Sequence, residues 1–515
     1  MKHSTGPTIS ELLHGWRVNR LNGFRSSGSR EFIALLSEFA AGQRGIERKD
    51  KLMKNKNSIK VLGVLSLILV LNAAIWPMQS QSAQKSKYDF SVIGAFGDPA
   101  PGGGFFTSNF APFSLNKRGE LAFAADIQMT QGGSDLGQGV FVASNGQLSQ
   151  IARVGLAAPG GGTFAKNIWP FLSMNKRGDV VFAMSLVPVN VPPPAGVNSG
   201  VYRFSRANGT LSAVVVPYIT QAPAGGTFQG AHVQPIQNKG GDIVFSGIVL
   251  TEQGTRVPGQ DYPGLGMGIF RADDKSGETG KVVAPGDPAP GGGSLDYATR
   301  PWINDAGDIA FDGHVAGEEC LNVGGGQSRR LGCPSSVYFI SAGTSQIQAI
   351  ACQGDPAPGG GAFRFAIAPQ INNRGEILFT GDLTEPPGIS QRVGIFLYSS
   401  GQIVPVARPG DAMPGGGNAA TATSIVGIYT LNNRGDAAVN LTLDSDVDGD
   451  GKPDTGVYLR SRTGSLSVLA RTGTMISGVG TIVSVTRAII NDRGQVAFTA
   501  QLTDGRTVLL LAIPR

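Results

Sequence analysis

The chain has 515 residues, 41% of them hydrophobic and 16% charged, enough for a packed core and unlike an intrinsically disordered chain. Gly 75 and Pro 31 together make about a fifth of it, which reads as many tight turns between short strands. The net charge of +6 sits at the start. Residues 1–83 hold twelve Lys/Arg against five Asp/Glu and residues 84–515 hold 31 against 32, so no basic field marks the main body as a nucleic-acid binder.

Residues 1–52 are polar, basic and non-repeating, and read as an N-terminal extension or an over-extended start ahead of Met53. Residues 53–83 have the layout of an export signal: Lys54, Lys56 and Lys60, then the uncharged apolar run Val61 to Trp76, then small polar residues. The expected location is therefore secreted, periplasmic or cell-surface. The alternative is an uncleaved single-pass anchor, which the run is short for, since a span takes about 20 residues.

From residue 84 the chain repeats. NKRGELAF (Asn116 to Phe123), NDAGDIAF (Asn304 to Phe311) and NDRGQVAF (Asn491 to Phe498) are joined by looser copies at Asn175, Asn238, Asn372 and Asn432, with steps of 59, 63, 66, 68, 60 and 59 residues. A fixed period of this length signals a repeat architecture. Each unit carries four short apolar segments bounded by Gly, Pro or Asn. Asn suits the first position of a type I turn and Gly the fourth, in a left-handed conformation, so Asn-x-x-Gly joins strands one and two as a hairpin. The strand that follows is expected to present Leu121, Phe123 and Ala125 on one face. Strand three is marked by Gly-Val/Ile-aromatic (Gly139, Gly200, Gly268, Gly394, Gly456), and a short turn such as Ser144 to Gln147 leads to strand four. The phrase GDPAPGGG at Gly97, Gly286 and Gly354 then reads as a crossover to the next unit. A phosphate cradle is disfavoured because neither a helix nor a Gly-Lys-Ser/Thr follows.

Seven four-stranded units predict an all-β, seven-bladed β-propeller. Tyr88 to Phe96 is a fourth strand without a preceding three, and the last unit ends after its third strand. Pairing these two closes the ring and removes two exposed edges. The expected state is a monomer.

The repeated phrase resembles a bacterial family of exported tandem-repeat proteins named for the motif NxxGxxAF. The resemblance runs from about Tyr88 to Arg515 and implies export and a propeller, but no established activity or catalytic residue. Copy six departs from it, ending in Val439.

DSDVDGDGKPD, Asp444 to Asp454, joins strands two and three of the sixth unit. Five carboxylates at close spacing with two glycines can wrap oxygen ligands around calcium, against the plainer reading of a solvated acidic loop. Its core resembles calcium loops of thrombospondin type 3 and dockerin-like repeats. That resemblance implies Asp444, Asp446, Asp448, Asp450 and Asp454 as ligands, with a role in stiffening the loop. Thr455 stands where an EF-hand places a bidentate Glu.

Cys320, Cys333 and Cys352 are the only cysteines. A Cys320–Cys333 disulfide is expected in an exported chain, with Cys333–Cys352 the rival. His232 and His314 lie in no catalytic phrase. The basic turn residues Lys117-Arg118, Lys176-Arg177, Arg374, Arg434 and Arg493 are expected on one rim as solvated side chains. The long segments between strands two and three, including the acidic loop, should gather on one rim and form the ligand surface. The reading is a binding or scaffolding module for a protein or glycan. Its alternative is a carbohydrate-active hydrolase or lyase with carboxylates in the channel.

Overall fold

The computed structural model describes residues 87–515 except 132, 134, 135, 167–170, 188–198, 224, 232, 233, 251–266, 318–334, 385–391 and 423–428. They belong to one compact unit, Ser86–Arg515. Seven antiparallel sheets follow one another in the order of the repeats, and no helix occurs among the described residues. Blade 1 is Phe105–Leu115, Leu121–Gln128, Leu136–Ser144 and Gln147–Arg153, paired in chain order. The first strands of neighbouring blades approach one another all the way round, including blade 7 to blade 1, so they line the central channel. The fold is a seven-bladed β-propeller.

The ring closes as the two ends of the repeat region require. Tyr88–Ala95 adds to the last strand, Thr507–Pro514, in a register running from Tyr88 opposite Pro514 to Ala95 opposite Val508, with a bulge between Val92 and Gly94. Thr507–Pro514 is thereby covered, and Tyr88–Ala95 becomes the outer strand of blade 7. The seventh copy, which lacks the Pro/Gly crossover phrase, has in its place a small hairpin pairing Met475 with Thr481 and Ile476 with Gly480.

The Ala-Phe pair of the motif explains how blades stack. Both faces of the second strand are buried: Leu121, Ala122, Phe123, Ala124 and Ala125 are each at most 1% exposed. Phe123 belongs to the cluster shared with blade 7, whereas Ala122 and Ala124 belong to the cluster shared with blade 2. The same division recurs at Val181/Phe182, Val244/Phe245, Ala310/Phe311, Leu378/Phe379, Ala438/Val439 and Ala497/Phe498, giving one hydrophobic cluster per junction. A small or branched residue on one face thus meets a large one from the next blade, which fills the junction at crystal-like density. Leu121, Phe123 and Ala125 share one face as expected, and the opposite face is buried as well, because a propeller blade has a neighbour on each side.

Within a blade the motif Phe stacks with two further aromatics. Phe379 lies 5.9 Å from Phe363 and 5.8 Å from Phe396. The glycine of the Gly-Val/Ile-aromatic signature is required by this packing. A Cβ at Gly456 would stand 2.6 Å from the Tyr458 ring, and one at Gly139 would stand 2.7 Å from the Phe141 ring.

Inner strands depart from regularity at one repeated place. Gln234, Arg300, Ala368 and Arg487, each four residues before its motif Asn, have φ of 52°, 49°, 56° and 50°. Pro235, Pro301 and Pro369 follow the first three and lack the N–H that would continue the ladder, so the strand bulges. The described inner-strand segments of blades 2, 3 and 6 are 163–165 and 172–174, 227–231 and 236–237, and 419–422 and 429–431.

Candidate functional site

The motif asparagine does more than start a turn. Asn116 Oδ1 accepts the N–H groups of Arg118 at 2.9 Å and Glu120 at 3.1 Å, while its Nδ2 donates to Glu120 Oε2 at 2.6 Å. Glu120 in turn accepts the Ser144 hydroxyl at 2.9 Å, tying the inner hairpin to the outer one. In blade 2, Asp179 accepts the Arg206 N–H at 3.0 Å, and in blade 4, Asp308 accepts that of Ala342 at 2.8 Å. The residue four after each Asn is Glu120, Asp179, Asp242, Asp308, Glu376, Asp436 or Gln495, always an oxygen acceptor. Sequence reasoning passed over this position, although the signal was there in seven aligned copies. Burial alone would raise the carboxyls of Glu120, Asp179 and Asp242, but the hydrogen bonds and arginines around them hold all three below the ordinary carboxylate range.

The same amide links blades. Asn304 Nδ2 donates to the Asn372 carbonyl at 3.1 Å, Asn372 to Asn432 at 3.0 Å, Asn432 to Asn491 at 3.1 Å and Asn491 to Asn116 at 2.8 Å. These asparagines and the residues after them (Lys117, Lys176, Lys239, Asp305, Asn373, Asn433 and Asp492) line a cavity of about 170 Å³ at the channel mouth. The two carboxylates there are engaged. Asp305 accepts the Lys239 N–H at 2.8 Å and pairs with the Lys176 ammonium, and Asp492 accepts the Asn433 N–H at 2.8 Å and its amide at 3.1 Å.

The basic turn residues do share one rim, and their arginines are exposed as expected while also bonding to neighbouring turns. Arg118 pairs with Glu120 at 2.6 Å and donates to the Arg177 carbonyl at 2.7 Å, while Arg177 pairs with Asp179 at 3.0 Å and donates to the Gly240 carbonyl at 3.3 Å. With Arg203, Arg206 and Asp274 they line an open groove of about 630 Å³ across blades 1–3. Arg203 is held by Asp274. These guanidiniums clamp neighbouring turns.

A second polar cluster lies on blade 4, on its inner strand Leu295–Ile303 and the neighbouring Ile309–Val315. His314, 3% exposed, sits with Nδ1 2.8 Å from Asp296 Oδ1, its ring stacked on Tyr297 at 5.7 Å and its Nε2 without a partner among the described residues. Tyr297 bonds to the Ser335 hydroxyl, and burial pushes its phenol up to about 12. One turn of strand further, Arg300 grips the fully buried Asp312 through Nε at 2.7 Å and through Nη2. Asp312 also accepts the Ala368 N–H of blade 5 at 3.1 Å. In blade 7 the position of Arg300 is taken by Arg487 and that of Asp312 by Thr499, and no carboxylate pairs with Arg487 among the described residues. Burial lowers the Arg487 guanidinium from its ordinary range.

The crossover phrase is structural. Asp98, Asp287, Asp355 and Asp411 each accept the N–H three residues before, at 2.9, 2.8, 2.7 and 2.7 Å. The N–H groups of Ala100 and Gly103 are taken by the loop's own carbonyls, which leaves few donors for a phosphate.

In the acidic loop the structure brings together Asp446, Asp448 and Asp450, exposed, with one oxygen from each within 4.8 Å of the others. Gly451 N–H donates to Asp446 at 3.1 Å, folding the chain around that trio. Asp444 instead accepts the N–H and amide of Asn418, both at 2.7 Å, and Asp454 is buried against Arg471 at 3.3 Å, Ser445 and the Val447 N–H. Of the five carboxylates expected as ligands, Asp446, Asp448 and Asp450 are thus brought together, and Asp444 and Asp454 are engaged at the loop's ends.

Cys352 is half-buried at the end of blade 4's outer strand. Cys320, Cys333, His232, the Val61 to Trp76 run and most of the long loops lie outside the described residues. Among the described residues no helix is long and apolar enough to cross a membrane.

A family model described as "Family of unknown function (DUF7453)" matches residues 70–508. No curated protein matches the chain. Among solved structures it is similar to the β-propeller domain of the Trilobed protease from Pyrococcus furiosus, with 10% identity over 82% of this chain and 94% of that one and a TM-score of 0.44. A polysaccharide lyase of family PL25, an ulvan lyase, gives 12% identity over 81% and 95% with a TM-score of 0.41. PorZ, a surface component of the type-IX secretion system of Porphyromonas gingivalis, gives 14% identity over 80% of this chain and a TM-score of 0.41, and the match spans 47% of its length.

Proposed function

The chain belongs to this family of unknown function, and we propose that its propeller is an exported binding or scaffolding module for a protein or glycan ligand. One observation carries the reading. The carboxylates at the channel mouth, Asp305 and Asp492, are saturated by backbone and amide donors of neighbouring blades, as structural groups are and as an acid–base pair is not. What differs from blade to blade is the set of segments between second and third strands, on the rim opposite the Asn-x-x-Gly turns, and we place the ligand there. The trio Asp446, Asp448 and Asp450 would hold calcium and stiffen one of these segments. Residues 86–515, purified and screened on glycan and protein arrays, should give a saturable ligand lost when 188–198 or 251–266 is replaced by a short Gly/Ser linker. Binding that survives both replacements would sink the assignment to this rim.

A hydrolase or lyase role is favoured only by the Asp296–His314–Tyr297–Ser335 cluster. Turnover of an acidic polysaccharide that disappears in His314→Ala, with the unfolding midpoint unchanged, would replace the binding reading by this one.

A further inference from the structure

The channel mouth carries a hydrogen-bonded belt that is complete on one side and open on the other. The rule of the belt is simple. The residue after each motif Asn offers a side-chain oxygen to the backbone N–H of the corresponding residue in the preceding blade. Asp305 accepts Lys239 N–H at 2.8 Å, Asn373 accepts Asp305 N–H at 2.8 Å, Asn433 accepts Asn373 N–H at 2.9 Å and Asp492 accepts Asn433 N–H at 2.8 Å. At the next three junctions the rule calls for oxygens from Lys117, Lys176 and Lys239, and lysine has none to offer. The N–H groups of Asp492, Lys117 and Lys176 accordingly have no acceptor among the described residues. Of the three ammoniums, that of Lys176 pairs with Asp305, while those of Lys117 and Lys239 have no counter-ion among the described residues.

Blades 7, 1 and 2 therefore leave three backbone N–H groups unspent and blades 1 and 3 leave two ammoniums uncompensated, all on residues lining one cavity of about 170 Å³, while the carboxylates of Asp305 and Asp492 are used up. Oriented N–H groups beside lysines form an anion-binding concavity. The space exceeds that of one water, about 30 Å³, several times over, so it admits a tetrahedral or planar oxyanion with its hydration. We infer that this arc binds an oxyanion group (sulfate, phosphate or carboxylate), either as a free ion or as the substituent of an acidic sugar. The site is separate from the loop rim proposed above, which lies at the other end of the strands.

Calorimetric titration of the full chain at low ionic strength tests this with sodium sulfate, sodium phosphate and glucuronate, alongside a sulfated oligosaccharide and its unsulfated counterpart. Saturable binding of at least one anion, weakened by added salt, is expected. Tighter binding of the sulfated sugar than of free sulfate would assign the group to a glycan, and the reverse to a free ion. Lys117→Gln with Lys239→Gln should weaken it at least tenfold. Lys117→Asn with Lys239→Asn should complete two links of the belt, raise the midpoint of thermal unfolding and abolish binding, which separates loss of the site from loss of the fold. No binding of any of these anions by the unaltered chain, or undiminished binding in the stabilised Asn variant, overturns the inference.

Discussion

The side-chain amide of Asn491 donates to the backbone carbonyl of Asn116 at 2.8 Å, joining residues 375 positions apart. It is the same bond that Asn304, Asn372 and Asn432 make to the blade after them, used once more to shut the ring. Asn491 is 4% exposed, and its Oδ1 also holds the Arg493 and Gln495 N–H groups. Replacing it by Ala strands these donors in a dry site, at about 1–3 kcal/mol for each group left unsatisfied. Asn491→Asp keeps the Oδ1 acceptor for both N–H groups but sets an oxygen against the Asn116 carbonyl and Gln495 Oε1, to which Nδ2 donates. It should still unfold later in urea than Asn491→Ala. Equal midpoints would show that the inter-blade bond, and not the turn, carries the cost.

The closing strand gives a second test. Tyr88–Ala95 covers the edge of Thr507–Pro514, and Phe90 packs edge-on against Phe498 at 6.3 Å. Deleting residues up to Ala95 leaves a bare edge of eight residues, TVLLLAIP, apolar for most of its length. Such an edge recruits other strands. The truncated chain should lose several degrees of thermal stability and elute in oligomers on gel filtration, whereas a monomer of unchanged midpoint would mean that closure rests on the inter-blade clusters alone.

The ring was legible in the sequence because its joint is local. Asn-x-x-Gly encodes a turn in four adjacent residues, and seven copies at a near-constant step encode a ring. The orphan strand at Tyr88 is legible too, since a fourth strand without three others must pair elsewhere. What the sequence hides is whatever depends on the neighbouring blade. Alternation separates Ala122 from Phe123, but it does not show that both faces are buried, each in the junction with a different blade. Arg118 is the solvated turn residue it looks like, but its bond to the Arg177 carbonyl of the next blade shows only in the fold. His314 and Asp296 are 18 residues apart and meet only because adjacent strands pair in register.

The Arg300–Asp312 pair is predicted to be costly to break and cheap to replace. Asp312 is fully buried and Arg300 nearly so. Asp312→Ala leaves a guanidinium without its counter-charge and frees the Ala368 N–H, at about 3–5 kcal/mol. Arg300→Met together with Asp312→Leu removes both charges and should recover most of that loss in urea denaturation. A double variant no more stable than Asp312→Ala would show that the Ala368 link to blade 5 matters more than the ion pair.

Acid should attack the turns first. The carboxyls of Glu120, Asp179 and Asp242 are held below their ordinary values in the folded state. In the unfolded chain they titrate at about 3.9 for Asp and 4.3 for Glu. A depressed folded value means that the unfolded state takes up protons first. The stabilisation is therefore complete above about pH 5 and is lost as pH falls through the folded values. Urea midpoints should be flat from neutrality to about pH 5 and then drop. Glu120→Gln and Asp179→Asn should each be less stable at neutral pH yet lose less on acidification; parallel pH curves for variant and parent would remove these two carboxyls as the cause.

Calcium should act on one loop and leave the ring alone. Asp446, Asp448 and Asp450 converge on a space within 4.8 Å, and Gly451 N–H already closes the turn on Asp446. Three carboxylates this close repel one another, and a hard cation relieves that repulsion while fixing the chain between Ser445 and Asp454. The ends of that stretch are tied by Asp454 to Arg471 and by Asp444 to Asn418, so ordering the middle changes little elsewhere. Adding calcium should protect residues 445–452 from amide exchange and proteolysis, with a small rise in the unfolding midpoint that follows mass action. Asp448→Ala removes one of the three ligands and should abolish that protection, whereas Asp444→Asn should weaken it much less. If Asp444→Asn proves as damaging as Asp448→Ala, the cation is held by a wider set of carboxylates than the trio.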